Sequence, residues 1–338
     1  MLILKIDFRK EARDLLASSN GIRPRILMVY KIIVAAVFLR RFKLNDKSKK
    51  FFVHVHFLST GLEIAILLKS IFPEFFIIGT AHGSDAFFQN ASKVSKLSSE
   101  SDLIFAASRA VAARIYECNK IATYQSSPKV IVRYCRVPIE MEMKTEMKSR
   151  FISPQLRILT VARFHPQKGL EIALQTAKIL KDQNLTFQWT LIGDGKLRKK
   201  LERLILIYNL GSHVKLLGIK TREFVQIAME ESDLLVLPSV RTNKSSDGLP
   251  VVILEAMSSG LYVISTPVGG IPEAIAEERG SIVEADPSLL SNEIWRVWTR
   301  GESNAFHTHA AREWVELNCM RSNLDPLIVA YKKLTEIP

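Results

Sequence analysis

The sequence predicts an α/β protein of two domains, and three observations lead to that fold class. The chain has 338 residues, which exceeds one ordinary domain, and its 47% apolar content can fill two sizeable cores. Short strand-like runs alternate with helical runs between Arg157 and Val283. The same order of strand, helix and strand occurs between Phe51 and Asp85, so an α/β unit is expected in both halves.

The elements of the C-terminal half follow from these runs. The predicted strands cover residues 158–162, 187–192, 214–217 and 234–237, and the predicted helices cover 170–180 and 197–208. In the first helix apolar residues recur three and four positions apart, so one face is expected to pack on a sheet. Ligands of open α/β sheets bind beyond the carboxyl ends of the strands, where the loops contain Arg163, Gly193 and residues 239–250.

The N-terminal half shows a weaker pattern. Strands are expected to begin at Phe51, Phe75 and Asp102, with a helix over residues 62–70. The last of these strands ends at a serine that is expected to cap the next helix.

Two carboxylates, Asp247 and Glu255, stand eight positions apart across a turn and the start of a helix. Pro250 is favoured in a first helical turn, so the free N–H groups there, with Gly248 and Leu249 just before them, can face an anion such as a diphosphate. Glu255 lies more than one turn further along, where a carboxylate can accept hydrogen bonds from sugar hydroxyls. The alternative is a capping role for Asp247 and a solvent-exposed charge at Glu255.

A second group of candidate residues lies upstream. Arg163 and Lys168 place two cations in the loop after a strand and beside the start of a helix, an arrangement that suits a diphosphate. Gly193, Asp194 and Gly195 form a Gly-Asp-Gly turn after the next strand. Each pattern alone is frequent in proteins, and only their conjunction is specific.

Together these motifs resemble the retaining GT-B glycosyltransferases of family 4 (glycosyl transferases group 1), of the type that builds polysaccharides. The family pattern is Arg-x4-Lys-Gly, then Gly-Asp-Gly, then Glu-x7-Glu, and its order and spacing fit over residues 157–286. Gly269-Gly-Ile-Pro-Glu273 resembles a further loop of the family. His82-Gly-Ser-Asp85 resembles a loop of the first domain, although a histidine after a buried strand is more often an ordinary hydrogen-bonded loop residue.

The resemblance implies the GT-B fold, in which two Rossmann-like domains face each other across a cleft. We expect an acceptor-side domain over residues 1–145 and a nucleotide-sugar-binding domain over residues 146–338. The polar segment 138–149 is the expected linker. As in relatives, the helical stretch 324–334 is expected to return to the first domain.

The resemblance also implies roles for the candidate residues. Arg163 and Lys168 would bind the donor diphosphate and stabilise charge as the nucleoside diphosphate leaves, so neither a metal nor another cofactor is expected. Asp247 would contact the transferred sugar, His82 would face that sugar from the first domain, and Glu255 would hold the ribose hydroxyls. The turns at residues 193–195 and 248–250 would complete the donor site. The sugar would pass to an acceptor hydroxyl with retention of configuration, and the leaving diphosphate would assist deprotonation in place of a protein base.

Three features depart from the family pattern. Asp247 replaces the usual Glu and is one methylene shorter, which affects its contact with the sugar. The opening strand and Gly-rich loop expected before Phe51 are missing or divergent. Arg136 stands where relatives often carry Gly, which is unfavourable if the turn requires a positive φ. Two alternatives to a transferase therefore stay open: a degenerate member that binds a nucleotide-sugar without turnover, and a GT-B nucleotide-sugar epimerase.

The formal net charge of +13 predicts an anionic partner beyond the donor. A nucleic acid is not expected, because the chain has no zinc-ligand spacing, no recognition-module pattern and no aromatic residues among its basic runs. The remaining options are an anionic membrane surface, where a lipid-linked or oligosaccharide acceptor would be met, and a solvated basic face. The apolar run 26–39 contains Lys31 and is shorter than the ~20 residues of a spanning helix. The expected location is the cytoplasm, with peripheral binding to the inner face of the cell membrane as an option.

No metal site is predicted. The three cysteines are odd in number and widely spaced, which indicates reduced thiols. The pairs His54 with His56 and His307 with His309 could each place two imidazoles on one side of a strand, but neither has an acidic or cysteine partner at ligand spacing.

Overall fold

The structure, a computed structural model, describes residues 51–121, 129–137, 154–242, 247–319 and Val329, apart from the single positions 59, 72, 74, 88 and 277. Several sequence-based expectations lie outside these residues. They concern the opening segment, the apolar run 26–39, the linker with its domain boundary, and all of the stretch 324–334 except Val329. The chain divides into two compact units, and the four residues 107–110 group with the larger one, which otherwise begins at Tyr134.

The smaller unit is built on a four-stranded parallel sheet in the order β1-β2-β3-β4. Its strands are β1 (Phe51–His56), β2 (Phe75–Ala81), β3 (Leu103–Ala106) and β4 (Val130–Val132). The helices of this part of the chain are α1 (Thr60–Ile71), α2 (Ser84–Phe87), α3 (Ala91–Ser99) and α4 (Arg109–Ile121). Successive side chains of β2 point to opposite faces, and all but one are buried, so both faces of this strand are covered.

The larger unit contains a six-stranded parallel sheet in the order β10-β9-β8-β5-β6-β7. Its strands are β5 (Leu156–Val161), β6 (Phe187–Ile192), β7 (Val214–Gly218), β8 (Leu234–Leu237), β9 (Tyr262–Ser265) and β10 (Ser281–Ile282). Its helices are α5 (Leu170–Asp182), α6 (Arg198–Ile207), α7 (Arg222–Glu231), α8 (Val251–Ser258), α9 (Ile271–Ile275), α10 (Pro287–Arg300) and α11 (Ala305–Cys319). Short 3-10 turns cover Pro166–Lys168 and Gly301–Asn304.

The core of the larger unit lies on both faces of its sheet. In β8, Leu234 and Val236 pack into one apolar cluster with α5 and α10, whereas Leu235 and Leu237 pack into the other with α8 and α11. Each of these side chains is fully buried, and such burial contributes about 1.5–3 kcal/mol per residue. The alternation explains why the strand is a continuous apolar run: in a parallel sheet with helices on both sides, neither face meets water.

The predicted fold class is confirmed, because the chain forms α/β units with parallel sheets. The six elements predicted between residues 158 and 237 are all present with ends within two residues, and the strands over 187–192 and 234–237 agree fully. After Leu237 the sequence predicted the start of α8 but not β9, α9 or β10, which are short: β9 has four residues, α9 five and β10 two.

Two details of the sequence analysis need correction. His307 and His309 lie in α11 rather than in a strand, and residues two apart on a helix do not face each other. Arg136 is not among the described residues with positive φ, so this turn does not require the glycine that relatives carry.

Candidate active site

The loops that follow β5 and β6 are joined by backbone hydrogen bonds. The N–H of Phe164 donates to the carbonyl of Asp194 at 2.9 Å, and the N–H of Leu197 donates to the carbonyl of Phe164 at 3.1 Å. The ring of Phe164 is buried beneath them. Because β5 and β6 are neighbours in the sheet, Arg163 lies next to the Gly-Asp-Gly turn at the carboxyl ends of two strands.

The Gly-Asp-Gly turn depends on its first glycine. Gly193 has a φ of 136°, and a Cβ there would lie 1.9 Å from the carbonyl oxygen of Ala162. The side chain of Asp194 closes the turn: one carboxylate oxygen accepts from the N–H of Gly195 at 2.7 Å and the other from Arg198 at 3.3 Å. The turn is thus rigid, with its backbone close to the loop of Arg163.

Asp247 lies at the centre of a buried polar network. Lys168 Nζ is 2.7 Å from Asp247 Oδ1, and the two side chains are only 12% and 8% exposed. Gln167 also donates to Oδ1 at 3.1 Å, and the Ser239 hydroxyl donates to Oδ2 at 2.7 Å. The carboxylate therefore joins the loops after β5 and β8, and it is neither a helix cap nor a solvated charge.

The loop after β9 holds the Asp247 turn in place. The N–H of Gly270 donates to the carbonyl of Gly248. Gly269 has a φ of 57°, and a Cβ there would lie 2.0 Å from the carbonyl oxygen of Asp247. Only glycine permits this close approach, so the Gly-Gly pair and the Asp247 turn form one structural unit.

The two predicted cations differ in their surroundings. Lys168 is engaged by Asp247, whereas the guanidinium of Arg163 is exposed and forms neither a hydrogen bond nor an ion pair with any residue that the structure describes. Arg163 is consequently available to an anionic ligand. Lys168 is held in a fixed position beside it, with a positive charge that Asp247 partly balances.

Helix α8 starts where the sequence predicted. Pro250 is its N-cap, and the first N–H groups of the helix precede the helical hydrogen-bond ladder, so they can face a ligand. Glu255 lies one turn further on. Burial raises the pKa of its carboxyl group, an effect that the nearby charge of Arg222 opposes. Its side chain has no hydrogen-bond partner within the described part of the chain, and the hydroxyls of a ligand would supply the missing donors.

His82, the remaining predicted catalytic residue, belongs to the smaller unit and follows β2. Its backbone is fixed by Asp85, whose Oδ1 accepts from the N–H groups of His82 and Gly83 at 2.9 Å each. The other oxygen of Asp85 accepts from the N–H of Leu58 at 2.8 Å. Asp85 is buried and holds the loops after β1 and β2 together, a role that the sequence analysis did not assign.

The residues that support Asp247 were not predicted from the sequence. Ser239 follows β8 directly, and Gln167 precedes Lys168, so their positions beside predicted site residues were the available signal. These positions in the sequence could not show that both side chains converge on one carboxylate.

Glu273 was noted only as part of a family loop. Its carboxylate accepts from the N–H groups of Arg109 and Ala110 at 2.7 Å each and from the hydroxyl of Tyr134 at 3.1 Å. Burial, together with the charge of Glu273, raises the pKa of Tyr134 to about 12. With three donors already bound, Glu273 stabilises the start of α4 and is not available to a ligand.

Among the residues that the structure describes, no three His, Cys, Asp or Glu side chains come together in the manner of a metal site. None of the helices found there is both long enough and apolar enough to cross a membrane.

Two α/β units with parallel sheets, and cations, glycine turns and carboxylates gathered at strand ends, define a protein of the GT-B glycosyltransferase fold. Solved structures agree with this class. The crystal structure of HepE from Anabaena in complex with UDP superposes with a TM-score of 0.71 over 91% of this chain and 82% of that one, at 16% sequence identity. At such low identity the likeness shows the fold alone.

The family follows from the sequence comparison. The profile of the family described as glycosyl transferases group 1 matches residues 143–314, just over half of the chain, and the chain belongs to this family.

Two curated relatives act in exopolysaccharide biosynthesis. The amylovoran biosynthesis glycosyltransferase AmsK of Erwinia amylovora is 35% identical over 215 residues, which are 62% of this chain and 51% of AmsK. The putative colanic acid biosynthesis glycosyltransferase WcaL of Escherichia coli is 31% identical over 170 residues, which are 49% of this chain and 42% of WcaL. The matches thus span about half the length of these relatives.

Proposed function

We propose that the protein is a retaining glycosyltransferase of family 4 that transfers a sugar from a nucleotide-sugar donor to an acceptor hydroxyl during the synthesis of a surface polysaccharide. One observation carries the proposal: an exposed Arg163 with no side-chain partner among the described residues, the Lys168–Asp247 pair and the Gly193 turn are gathered at the carboxyl ends of the larger sheet. The amylovoran and colanic acid roles named for AmsK and WcaL support a polysaccharide product. The UDP bound to HepE supports a nucleoside diphosphate donor.

Each residue has a chemical task in this proposal. Arg163 and Lys168 contact the donor diphosphate, and their charge stabilises it as it leaves. Asp247 fixes the ammonium of Lys168, and the start of α8 adds N–H groups and the positive end of a helix dipole. Glu255 accepts from the ribose hydroxyls. In this arrangement protein cations serve the diphosphate, and no metal or other cofactor is required.

The decisive experiment is a panel of UDP-, GDP- and ADP-sugars with purified protein, in which both binding and release of nucleoside diphosphate are measured. Arg163→Ala is the test variant, and Arg300→Ala, which changes an exposed arginine at the end of α10, is its matched control. Release that only Arg163→Ala abolishes supports the proposal. Binding without release, even when lipid-linked or oligosaccharide acceptors are added, identifies a degenerate member. Isomerisation of the sugar without an acceptor identifies an epimerase.

We further propose that the protein meets its acceptor at an anionic membrane surface, which it binds peripherally from the cytoplasmic side. One face of α6, here called the α6 face, combines Lys199 and Arg203 with two large apolar side chains, Leu206 and Ile207, which are 79% and 61% exposed. Lys199 lies four positions before Arg203, and Leu206 and Ile207 lie three and four positions after it, so all four share one side of the helix with Arg203. Exposed apolar groups beside cations are the features that bind an anionic bilayer.

A further inference from the structure

Three histidine rings form a row at the carboxyl ends of β1 and β2. The rings of His54 and His56 are stacked with centroids 4.9 Å apart, and those of His56 and His82 are stacked at 5.2 Å. Nδ1 of His56 lies 3.0 Å from Nε2 of His82, within hydrogen-bond distance. The last residue of β1 and the loop after β2, 26 residues apart in sequence, are thereby joined through imidazoles.

The backbone of His82 is fixed independently of this contact. Asp85 accepts from the His82 N–H. The ring of Phe57 also packs beside the His82 ring, with the two centroids 4.5 Å apart. What the backbone does not determine is the rotation of the imidazole and the nitrogen that carries its proton. Those two properties depend on the partner of Nε2.

The chemistry of the pair couples the two rings. A neutral imidazole has one nitrogen that donates and one that accepts, so a hydrogen bond between His56 and His82 requires the two to hold complementary tautomers. His54 has a different partner, because its Nε2 is 2.7 Å from the Thr80 hydroxyl. Burial, with the charges of His56, Arg133 and His82, lowers the pKa of His54 to about 4, and it stays neutral near pH 7.

We infer that His56 is a positioning residue that sets the ring orientation and the tautomer of His82. This inference rests on the proposed function and adds to it the role that the family resemblance implies for His82, a contact with the transferred sugar. Once Nε2 is engaged by His56, the tautomer decides whether Nδ1 of His82 donates to a sugar hydroxyl or accepts from one. His56 would thus govern the polarity of that contact without touching the sugar.

The first test needs no turnover. Long-range proton–nitrogen spectra of the protein labelled with nitrogen-15 in its seven histidines report which nitrogen of each ring is protonated, and a His82→Leu variant assigns the His82 signals. In the wild type we expect one tautomer of His82. In His56→Leu we expect its nitrogen signals to move towards averaged values. Unchanged signals in His56→Leu would overturn the inference.

The second test is a kinetic double-mutant cycle. His56→Leu is expected to lower kcat up to about tenfold, the effect of one neutral hydrogen bond. His56→Asn keeps a polar group near the position of Nδ1 and should stay close to the wild type. In a His82→Leu background, His56→Leu should have no further effect, because it acts through His82. Equal losses in both backgrounds would mean a merely structural role for His56.

The spectra and the kinetic cycle together distinguish a failure of the proposed function from a failure of the positioning role of His56. His56 is exposed on β1, so its substitution should leave the fold intact, which circular dichroism would verify. If the wild type releases no nucleoside diphosphate from any donor while the spectra change as expected, the proposed function fails and the positioning of His82 by His56 stands. If turnover is observed and the spectra do not change, the inference alone fails.

Discussion

Arg163 and Lys168 carry the same charge but are held differently, so their substitution should have different effects. Arg163→Ala removes an exposed side chain and should change the free energy of unfolding by no more than about 0.5 kcal/mol. Lys168→Ala leaves the buried carboxylate of Asp247 without its cation and should cost about 2 kcal/mol or more. Urea denaturation would measure both values.

The same two variants should both lose turnover, because each removes a cation from the developing charge on the leaving diphosphate. Loss of one such group typically lowers kcat by about 100-fold or more. Assays at temperatures where Lys168→Ala remains folded keep the kinetic effect apart from the stability effect. Full turnover in Arg163→Ala would show that the exposed guanidinium does not serve the diphosphate.

Glu255 is the carboxylate whose removal should stabilise the free protein. Burial raises its pKa above the value of the unfolded chain, so between those two values the native state binds more protons and loses stability as the pH rises. Glu255→Gln should therefore raise Tm at pH 7 and leave it unchanged below the unfolded pKa. A nucleotide-binding assay should show weaker binding for the same variant, because the amide is a poorer acceptor for hydroxyls. A lower Tm at pH 7 would mean that the carboxylate has a stabilising partner.

At the scale of elements, the turn after β6 can be tested with two glycines. Gly193→Ala places a Cβ 1.9 Å from a carbonyl oxygen at a φ of 136°, and it should destabilise by at least about 1 kcal/mol. Gly211→Ala is the matched control, because its Cβ meets nothing within 4 Å and its φ is not positive. Thermal unfolding of the two variants gives the comparison. Equal Tm values would show that the turn is not constrained as the structure indicates.

The α6 face provides a second test at this scale. The double variant Leu206→Glu with Ile207→Glu should bind vesicles of phosphatidylcholine and phosphatidylserine at least about tenfold more weakly in co-sedimentation, because it removes apolar contact and adds negative charge. Phe306→Glu with Leu317→Glu changes two similarly exposed apolar residues on α11 and is the matched control. Equal binding by both pairs would contradict the assignment of the α6 face.

For the whole molecule, the half-buried His54 predicts sensitivity to acid. Its pKa is lowered from 6.5 to about 4, so between these values the unfolded chain binds more protons, and stability falls as the pH drops below 6.5. The free energy of unfolding that His54 contributes, and that is lost as the pH falls through this range, is about 3 kcal/mol. His54→Gln, which does not titrate, should show a shallower loss in urea unfolding followed by circular dichroism.

The four tryptophans provide the internal reference for that experiment, because all of them lie in the larger unit. Unfolding followed by tryptophan emission should have nearly the same pH dependence in wild type and His54→Gln. Unfolding followed by circular dichroism, which also reports on the smaller unit, should differ between the two proteins. Identical pH profiles in the two proteins would mean that the pKa of His54 is the same in the native and unfolded states.

The sequence by itself determined the elements and the places where chemistry can occur. The strand over residues 234–237 was correct to the residue because burial on both faces makes it a continuous apolar run. The loops after these strands were predicted because a strand ends where its apolar run ends. This reasoning uses only neighbours in the chain, so it located Arg163, Lys168, Asp247 and Glu255 without their partners.

Only the tertiary structure decided which of these residues meet. Lys168 and Asp247 are 79 positions apart, and their contact depends on the pairing of β5 with β8, a strand order that no local pattern encodes. The same holds for Glu273 at the start of α4 and for the pair of His56 and His82. Local periodicity reflects burial along one element, whereas these contacts depend on the order in which elements assemble, and that order is a property of the folded chain.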